Sequence, residues 1–227
     1  GDVTKWREWA IDWKSIDLVT GGFPCQAWSL AGKQLGDKDE RGMLFWVMLD
    51  IMKHAREHNP NVDFVIENVK MKKEFEEYIT THTENALGHV HKILINSALV
   101  SAQNRNRYYW TGFAVDQPVD KGILLKDIIE TGVVDRDKSY CIDANYFKGG
   151  NLKSYFEKRR RQLVFEMAFE SQESPSKYRK LTPRECFRLQ TVPGHHIDTL
   201  LSAGISNSQL YKMCGNGWTM EVIAHIF

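Results

Sequence analysis

The chain has 227 residues, of which 42% are hydrophobic and 26% are charged, a composition typical of a globular protein with one sizeable core. No apolar run is long enough to cross a membrane, and the formal net charge of +1 points to no class of partner for the molecule as a whole. The 4 cysteines lie far apart with no CxxC pair, which argues against a disulfide framework or a zinc site and favours a reducing compartment, so we expect a cytoplasmic protein without a metal.

Strands and helices alternate in the first half of the chain. Apolar runs predict strands at residues 16–20, 62–66, 93–95 and 108–113. The spacing of apolar residues predicts a helix at residues 43–58, and a polar helix at residues 72–87 is closed by Gly88. This alternation is typical of an α/β fold with a largely parallel sheet. Residues 27–41 are polar and of mixed charge, and we expect them to form a long mobile lid.

Residues 114–177 have a different character. They lack the alternation of strands and helices and are richer in polar residues and glycine. Between residues 148 and 161 there are six basic residues and one acidic residue. We interpret this segment as a small domain inserted into the first, which divides the chain into residues 1–113, 114–177 and 178–227.

The α/β pattern resumes after the insert. Thr182 is a helix N-cap, Pro183 occupies the first helical position and Glu185 the third, which together predict a helix start. Two more helices are predicted. One is capped by Ser206 or Ser208, runs through Met213 and is stopped by Gly215, and the other lies around residues 222–223.

Polar residues that could take part in catalysis follow the predicted strands. Cys25 comes after the first strand and the turn 21–24, in which Pro24 stiffens the backbone. A cysteine held in this way suits a nucleophile, although a buried structural thiol is the commoner role of a lone cysteine. Glu67 follows the next strand, and parallel strands end at one edge of a sheet, so we expect both residues to face one pocket. Arg105 and Arg107 are two residues apart before a further strand and should point to the same side.

In this order the segments resemble the motifs of the DNA cytosine-5 methyltransferases. The family's nucleophile loop resembles the run Gly-Phe-Pro-Cys-Gln-Ala-Trp-Ser at residues 22–29, and its glutamate motif resembles Glu67-Asn68-Val69. Its arginine motif is similar to Gln103-x-Arg105-x-Arg107-x-Tyr109. Further matches in family order lie at residues 1–4, 41–45, 179–190 and 209–216. The resemblance leaves only residues 114–177 without a motif, and its signatures look bacterial or phage-like, as in restriction–modification systems.

The resemblance implies a Rossmann-like fold and a mechanism. A methyl group is transferred from S-adenosylmethionine to C5 of a cytosine flipped out of double-stranded DNA. The Cys25 thiolate would add to C6 of the base and make C5 nucleophilic. Glu67 would bind N3 and the exocyclic amine. Arg107 would bind the O2 side of the base, with Arg105 nearby for phosphate and loop support.

Binding residues are also assigned by the resemblance, and no metal is required. The residues assigned to S-adenosylmethionine are Asp2, Val3, Pro24, Leu44 and Asn216. The insert corresponds to the target-recognition region. The residues assigned to DNA are Gln26, Ser29, Arg105, Lys158, Arg159, Arg160 and Arg161. For the run from Lys158 to Arg161, a solvated helix face is the alternative.

Other interpretations stay open at this stage. The family's glycine-rich cofactor turn is not present, so we expect the fold to be N-terminally incomplete, either as a fragment or completed by a second chain. A non-catalytic DNA-binding or partner-stimulating relative, or one part of a split methyltransferase, is the main alternative. An unrelated cysteine hydrolase would need a histidine base, and no histidine has a motif context.

Overall fold

The computed structural model describes residues 1–24, 42–167 and 177–227. These residues form two compact units. Unit 1 contains residues 1–95 and 106–117, and unit 2 contains residues 96–105 and 118–227. None of the helices in the described ranges is long and apolar enough to cross a membrane.

Unit 1 is built on a four-stranded sheet. Its strands are β1 (Leu18–Gly21), β2 (Asp63–Val69), β3 (His91–Asn96) and β4 (Asn106–Thr111). They are arranged in the order β1-β2-β4-β3. Strand β1 is parallel to β2, with Gly21 opposite Ile66, whereas β4 is antiparallel to β2, with Arg107 opposite Val69. All four strands were predicted from their apolar runs, with boundaries that differ by a few residues.

The expectation of a largely parallel sheet needs a correction at β4. This strand lies between β2 and β3 and runs against β2. The link from β3 to β4 spans only residues 97–105, whereas a parallel neighbour needs a crossover of about a dozen residues or more. The short link therefore favours a strand that turns back. An apolar run shows that a strand exists but does not show its direction.

Two helices cover the sheet of unit 1. Helix α1 (Leu44–His58) buries Phe45, Leu49 and Met52 in a core that includes Phe64 and Trp110. Burying one such side chain stabilises the fold by about 1.5–3 kcal/mol. Helix α2 (Lys73–Leu87) ends at Gly88, whose φ of 80° is of the kind that glycine adopts readily. Both predicted helices are confirmed within a residue or two.

Unit 2 combines short helices with a two-stranded antiparallel sheet. Its regular elements are α3 (Leu152–Lys158), β5 (Leu163–Phe165), β6 (Tyr178–Lys180), α4 (Pro183–Leu189), α5 (Gly194–Ser202), α6 (Asn207–Asn216) and α7 (Met220–Ile226). Residues from both sides of the predicted boundary at 177/178 share one core, for example Ile142 and Tyr146 with Leu181 and Leu210. The compact units therefore divide the chain differently from the predicted domains, and the functional division into a catalytic and a recognition part stays a prediction.

The helix starts in unit 2 follow the predicted caps. The Thr182 hydroxyl accepts from the Glu185 N–H, and the Glu185 carboxylate accepts from the Thr182 N–H at 2.7 Å. Ser206 caps α6. The predicted stop at Gly215 is wrong, because α6 continues to Asn216 and Gly217 is its C-cap. Gly215 has another role, since a Cβ there would lie 2.2 Å from the backbone of Asp143.

Candidate active site

The ends of β1 and β2 bring the predicted nucleophile turn beside Glu67. A Cβ built on Gly22 would lie 3.1 Å from the Glu67 carbonyl oxygen and 3.3 Å from Glu67 Oε2. The buried Asn68 side chain donates from Nδ2 to the carbonyl oxygen of Phe23 at 3.0 Å. The turn is therefore held against β2 by a hydrogen bond and by close packing in which a larger residue than glycine would press on Glu67. Gly22 and Asn68 were not singled out from the sequence, although both lie within the recognised motifs.

Cys25 itself lies outside the described residues, as do Gln26, Ser29 and the predicted lid at 27–41. The turn that leads to it is described as far as Pro24, three residues beyond Gly21 at the end of β1. Cys25 therefore follows directly on a segment fixed next to Glu67. Its predicted role as nucleophile stays a prediction.

Glu67 and Arg107 form the charged pair of this site. Strands β2 and β4 are paired so that Arg107 Nε lies 2.8 Å from Glu67 Oε1. The Arg107 and Glu67 side chains are only 14% and 13% exposed, and Arg107 Nη1 also donates to the carbonyl oxygen of Asn106 at 2.9 Å. A carboxylate and a guanidinium side by side offer acceptors and donors to the polar edge of a planar ligand. The family resemblance assigned both residues to the base, and the structure brings their side chains together.

Arg105 does not share this location. It belongs to unit 2 and is 3% exposed. Its guanidinium donates to the carbonyl oxygens of Ile142, Gly215 and Gly217 at 2.9–3.2 Å and to Cys141 Sγ at 3.4 Å. The expectation that Arg105 and Arg107 point to the same side is therefore wrong, because Arg105 precedes β4 and its side chain is directed to other partners. These contacts give no support to a role in phosphate binding.

Cys186 and Cys214, two of the three described cysteines, are poor nucleophiles. Burial raises the pKa of the Cys214 thiol to about 12 and raises that of the Cys186 thiol well above its usual value. Both side chains lie in the core of unit 2. At neutral pH they remain protonated and inert. This agrees with structural roles for Cys186 and Cys214 and with the selection of Cys25 from its turn.

The predicted cofactor residues of unit 1 present suitable surfaces. Asp2 is exposed and accepts hydrogen bonds from the Thr4 hydroxyl at 2.7 Å and the Thr4 N–H at 2.9 Å, which lower the pKa of its carboxyl. Val3 is 36% exposed, and Pro24 and Leu44 are partly exposed. An ionised carboxylate and exposed apolar side chains fit an amine-bearing aromatic ring. The fifth residue, Asn216, is exposed at the end of α6 in unit 2.

The predicted basic run lies at the end of α3. Lys158, Arg159 and Arg160 are exposed, and Arg159 and Arg161 have φ values of 48° and 60°. Arg161 Nη1 donates to the carbonyl oxygen of Gly149 at 2.8 Å, which joins the run to the loop 147–150. The run is thus a folded, solvent-facing surface rather than one face of a regular helix.

Sequence patterns missed a cluster of cations around the loop 147–150. Lys180 Nζ donates to the carbonyl oxygen of Phe147 at 2.9 Å, and the Nζ atoms of Lys148 and Lys212 both lie 5.8 Å from the centre of the Phe147 ring. Within the ranges that the structure describes, none of these lysines forms an ion pair. Lys148 and Lys180 belong to two separate basic stretches of the sequence, and Lys212 to neither. Only the fold brings them together.

Comparison with known sequences finds a matching family and several relatives of this chain. The sequence profile described as C-5 cytosine-specific DNA methylase matches residues 1–139 and 125–227. The type II methyltransferase M2.ScrFI of Lactococcus lactis subsp. cremoris is 29% identical over 266 residues, which cover 96% of this chain and 68% of the relative. M1.ScrFI of the same organism is 31% identical, with 98% of this chain and 64% of the relative covered. M.HpaII of Haemophilus parainfluenzae is 27% identical, with coverages of 98% and 74%.

Solved structures with the same fold are also methyltransferases. The methyltransferase EhMeth of Entamoeba histolytica superposes with a TM-score of 0.67 at 16% identity, covering 97% of this chain and 82% of EhMeth. The Dnmt2 methyltransferase of S. pombe gives 0.62 at 16% identity, with coverages of 99% and 81%. The fold is therefore that of the S-adenosylmethionine-dependent methyltransferases. From its motifs, its fold and the profile match, the chain belongs to the C-5 cytosine-specific DNA methylase family, which methylates C5 of cytosine in DNA with S-adenosylmethionine as cofactor.

Proposed function

We propose that this chain carries the catalytic site of a DNA cytosine-5 methyltransferase that acts on a cytosine flipped out of double-stranded DNA. The observation that supports it most directly is the Glu67–Arg107 pair, with 2.8 Å between its charged atoms, beside the turn that leads to Cys25. A base inside a duplex cannot reach such a site, so base flipping is part of the proposal.

Each of the three residues has one role in the proposed reaction. The Cys25 thiolate adds to C6 of the cytosine, and the electron pair of the C5–C6 double bond becomes available at C5. Glu67 binds N3 and the exocyclic amine and stabilises the charge that develops as the thiolate adds. Arg107 donates to the O2 side of the base. After methylation, solvent water accepts the C5 proton, and the electrons of the C5–H bond re-form the C5–C6 double bond and expel the Cys25 thiolate.

S-adenosylmethionine supplies the electrophilic methyl group that C5 accepts. In the proposal, Asp2 accepts from the adenine amine and Val3 contacts the adenine face, with Pro24, Leu44 and Asn216 as further contacts. The exposed Asp2 carboxylate and the exposed surfaces of Val3 and Leu44 support these roles. A glycine-rich turn for the methionine end is not among the residues of this sequence, so we propose that a further segment or a second chain contributes it.

DNA contact is proposed for unit 2. The exposed residues Lys158–Arg160 and the lysines around the loop 147–150 provide positive charge on folded segments of one unit. Gln26 and Ser29 remain proposed DNA contacts next to Cys25. Arg105 is left out of this set because its donors are already used within unit 2. A cytoplasmic, bacterial or phage setting belongs to the same proposal.

A covalent trapping assay tests this function. The chain is incubated with S-adenosylmethionine, with or without an added glycine-rich segment, and with duplex DNA containing 5-fluorocytosine, which cannot release its C5 substituent. We expect a denaturant-resistant protein–DNA adduct with the wild-type chain and none with Cys25→Ser. Cys186→Ser is the matched control, since the Cys186 thiol is buried in the core of unit 2 and has no assigned role in the reaction.

The outcomes separate the proposal from its alternative. An adduct that persists in Cys25→Ser would contradict the assignment of the nucleophile. DNA binding without an adduct under either condition would favour the non-catalytic relative. An adduct that appears only with the added segment would support a split enzyme.

A further inference from the structure

Arg105 is a buried cation with an unusual set of partners. Its Nη2 donates to the carbonyl oxygens of Gly215 at 3.2 Å and Gly217 at 2.9 Å, and its Nη1 donates to that of Ile142 at 3.1 Å. No ion pair is formed by Arg105 with any residue that the structure describes. A buried charge needs compensation, and here it comes from carbonyl dipoles, including that of Gly215 in the last turn of α6. The site is therefore built for the arginine.

The same contacts fix the backbone on both sides of Asn216. Gly215 and Gly217 flank this residue, and both of their carbonyl groups bind the same nitrogen of Arg105. Asn216 itself is exposed. The exposed Asn216 amide therefore lies on a backbone segment that the buried Arg105 side chain fixes on both sides.

Neighbouring contacts hold the same corner of unit 2. Gln190 Nε2 donates to the Cys214 carbonyl oxygen at 2.6 Å, and the Thr219 hydroxyl donates to Gln190 Oε1 at 2.9 Å. The hydroxyls of Ser97 and Thr219 are 2.8 Å apart in a further hydrogen bond. The segment 214–219 is therefore fixed at several points, and Arg105 provides the two contacts closest to Asn216.

We propose that Arg105 is a positioning residue that holds Asn216 in the orientation required to contact S-adenosylmethionine. The inference rests on the proposed function, which assigns Asn216 to the cofactor. Arginine is needed because its planar fork reaches carbonyl oxygens in several directions, whereas the single ammonium of lysine cannot satisfy the same set. Arg105 thus acts on the cofactor through Asn216 and not through the DNA.

The experiment compares two variants that each weaken unit 2. Arg105→Lys keeps the charge but loses the fork. Lys138→Met removes another cation that holds carbonyl groups in this unit. Its ammonium donates to the carbonyl oxygens of Ala98, Ser101 and Ile123 at 2.6–3.0 Å, and none of these partners lies in the segment 214–219. For each protein we would measure the thermal midpoint, the affinity for S-adenosylhomocysteine by calorimetry, and amide hydrogen exchange of residues 213–219. The protein includes the added glycine-rich segment if the wild type requires it.

We expect both variants to lower the thermal midpoint. Only Arg105→Lys should lower the affinity for S-adenosylhomocysteine, by about tenfold, because the loss of charge-assisted hydrogen bonds lets the backbone of residues 215–217 move. Exchange at residues 213–219 should rise in Arg105→Lys alone. If Arg105→Lys does not fold, Gln190→Met, which releases the Cys214 carbonyl, should weaken the ligand in the same way.

Two results would overturn the inference alone. One is unchanged affinity in Arg105→Lys with wild-type binding intact, and the other is an equal loss of affinity in Lys138→Met. A wild-type chain that binds no S-adenosylhomocysteine, even with the added segment, would overturn the proposed function and this inference with it.

Discussion

At the scale of single residues, the candidate site depends on partners that make partly buried charges stable. A carboxylate or a guanidinium removed from water loses solvation, and pairing one with the other offsets this loss. Glu67 and Arg107 are each less than about one-sixth exposed, and they lie within hydrogen-bonding distance of each other. The pair keeps both side chains oriented before a substrate arrives. A polar base can then bind with little rearrangement of either side chain.

Gly22 provides a residue-scale prediction. In Gly22→Ala the new methyl group would lie 3.1 Å from the Glu67 carbonyl and 3.3 Å from its carboxylate, so Glu67 must shift by a few tenths of an ångström. We expect methyl transfer to fall by about tenfold, since misplacement of a catalytic group by 1 Å costs up to roughly a hundredfold.

The neighbouring glycine is the matched control. In Gly21→Ala the methyl group would meet the flexible side chain of Met48 at 3.0 Å, which can move. Single-turnover methylation rates and thermal midpoints of the two variants would check the prediction. Equal rates for both variants would show that space beside Glu67 is not limiting.

At the scale of elements, the start of α4 is fixed by a buried carboxylate. Glu185 accepts from Arg179 at 2.8 Å and from the N–H groups of Thr182 and Glu130 at 2.7 Å. Burial pushes the pKa of Glu185 upward, but these hydrogen bonds outweigh it and lower the pKa below the ordinary value of 4.5. The carboxylate therefore connects α4 to β6 and to the segment around residue 130.

This network predicts a pH dependence of stability. Because the folded state lowers the pKa of Glu185, its stabilising effect is fully present above about pH 4.5 and is lost as the pH falls through the folded value. We expect Glu185→Gln to lower the free energy of unfolding at pH 7. Between pH 5 and 3, this free energy should fall less in the variant than in the wild type. Urea unfolding at several pH values would measure both effects. A variant with an unchanged acid profile would show that other carboxylates control it.

The elements also show where sequence reasoning succeeds and where it stops. Caps such as Thr182 are local, because donor and acceptor are three residues apart, and the pattern alone predicts them. The direction of β4 follows from its short link to β3 and not from its apolar run, which is compatible with either direction. The burial of Arg105 was also missed. Arginine is usually exposed, and two of its partners, Gly215 and Gly217, lie more than a hundred residues away in the sequence. The motifs selected Glu67 and Arg107, and the pairing of β2 with β4 brings these two side chains together.

At the scale of the whole molecule, charge is balanced in total but not in distribution. The formal net charge is +1, yet Lys148, Lys180 and Lys212 meet around one loop of unit 2. A total charge near zero gives little long-range attraction to DNA, so affinity has to come from local clusters. Each phosphate contact made by such a cluster releases counterions and steepens the salt dependence of binding.

The double variant Lys148→Gln, Lys212→Gln tests this. We expect weaker binding to duplex DNA at low salt and a slope of log affinity against log salt that is less steep by about 1–2, whatever the DNA sequence. Lys126→Gln, which changes an exposed lysine of the same unit, is the control. Fluorescence anisotropy titrations at several salt concentrations would decide. An unchanged slope in the double variant would place the phosphate contacts elsewhere.

The close approach of Gly215 to the backbone of Asp143 and Ala144 restricts how this protein can be re-engineered. A chimera that takes a foreign recognition segment would have to keep the main-chain path of residues 141–144, because a Cβ at position 215 would already come within 2.2–2.5 Å of it. It would also have to present a carbonyl oxygen to Arg105 in place of that of Ile142. Grafts that begin after Ala144 meet both conditions, whereas grafts that replace residues 141–144 disturb the end of α6.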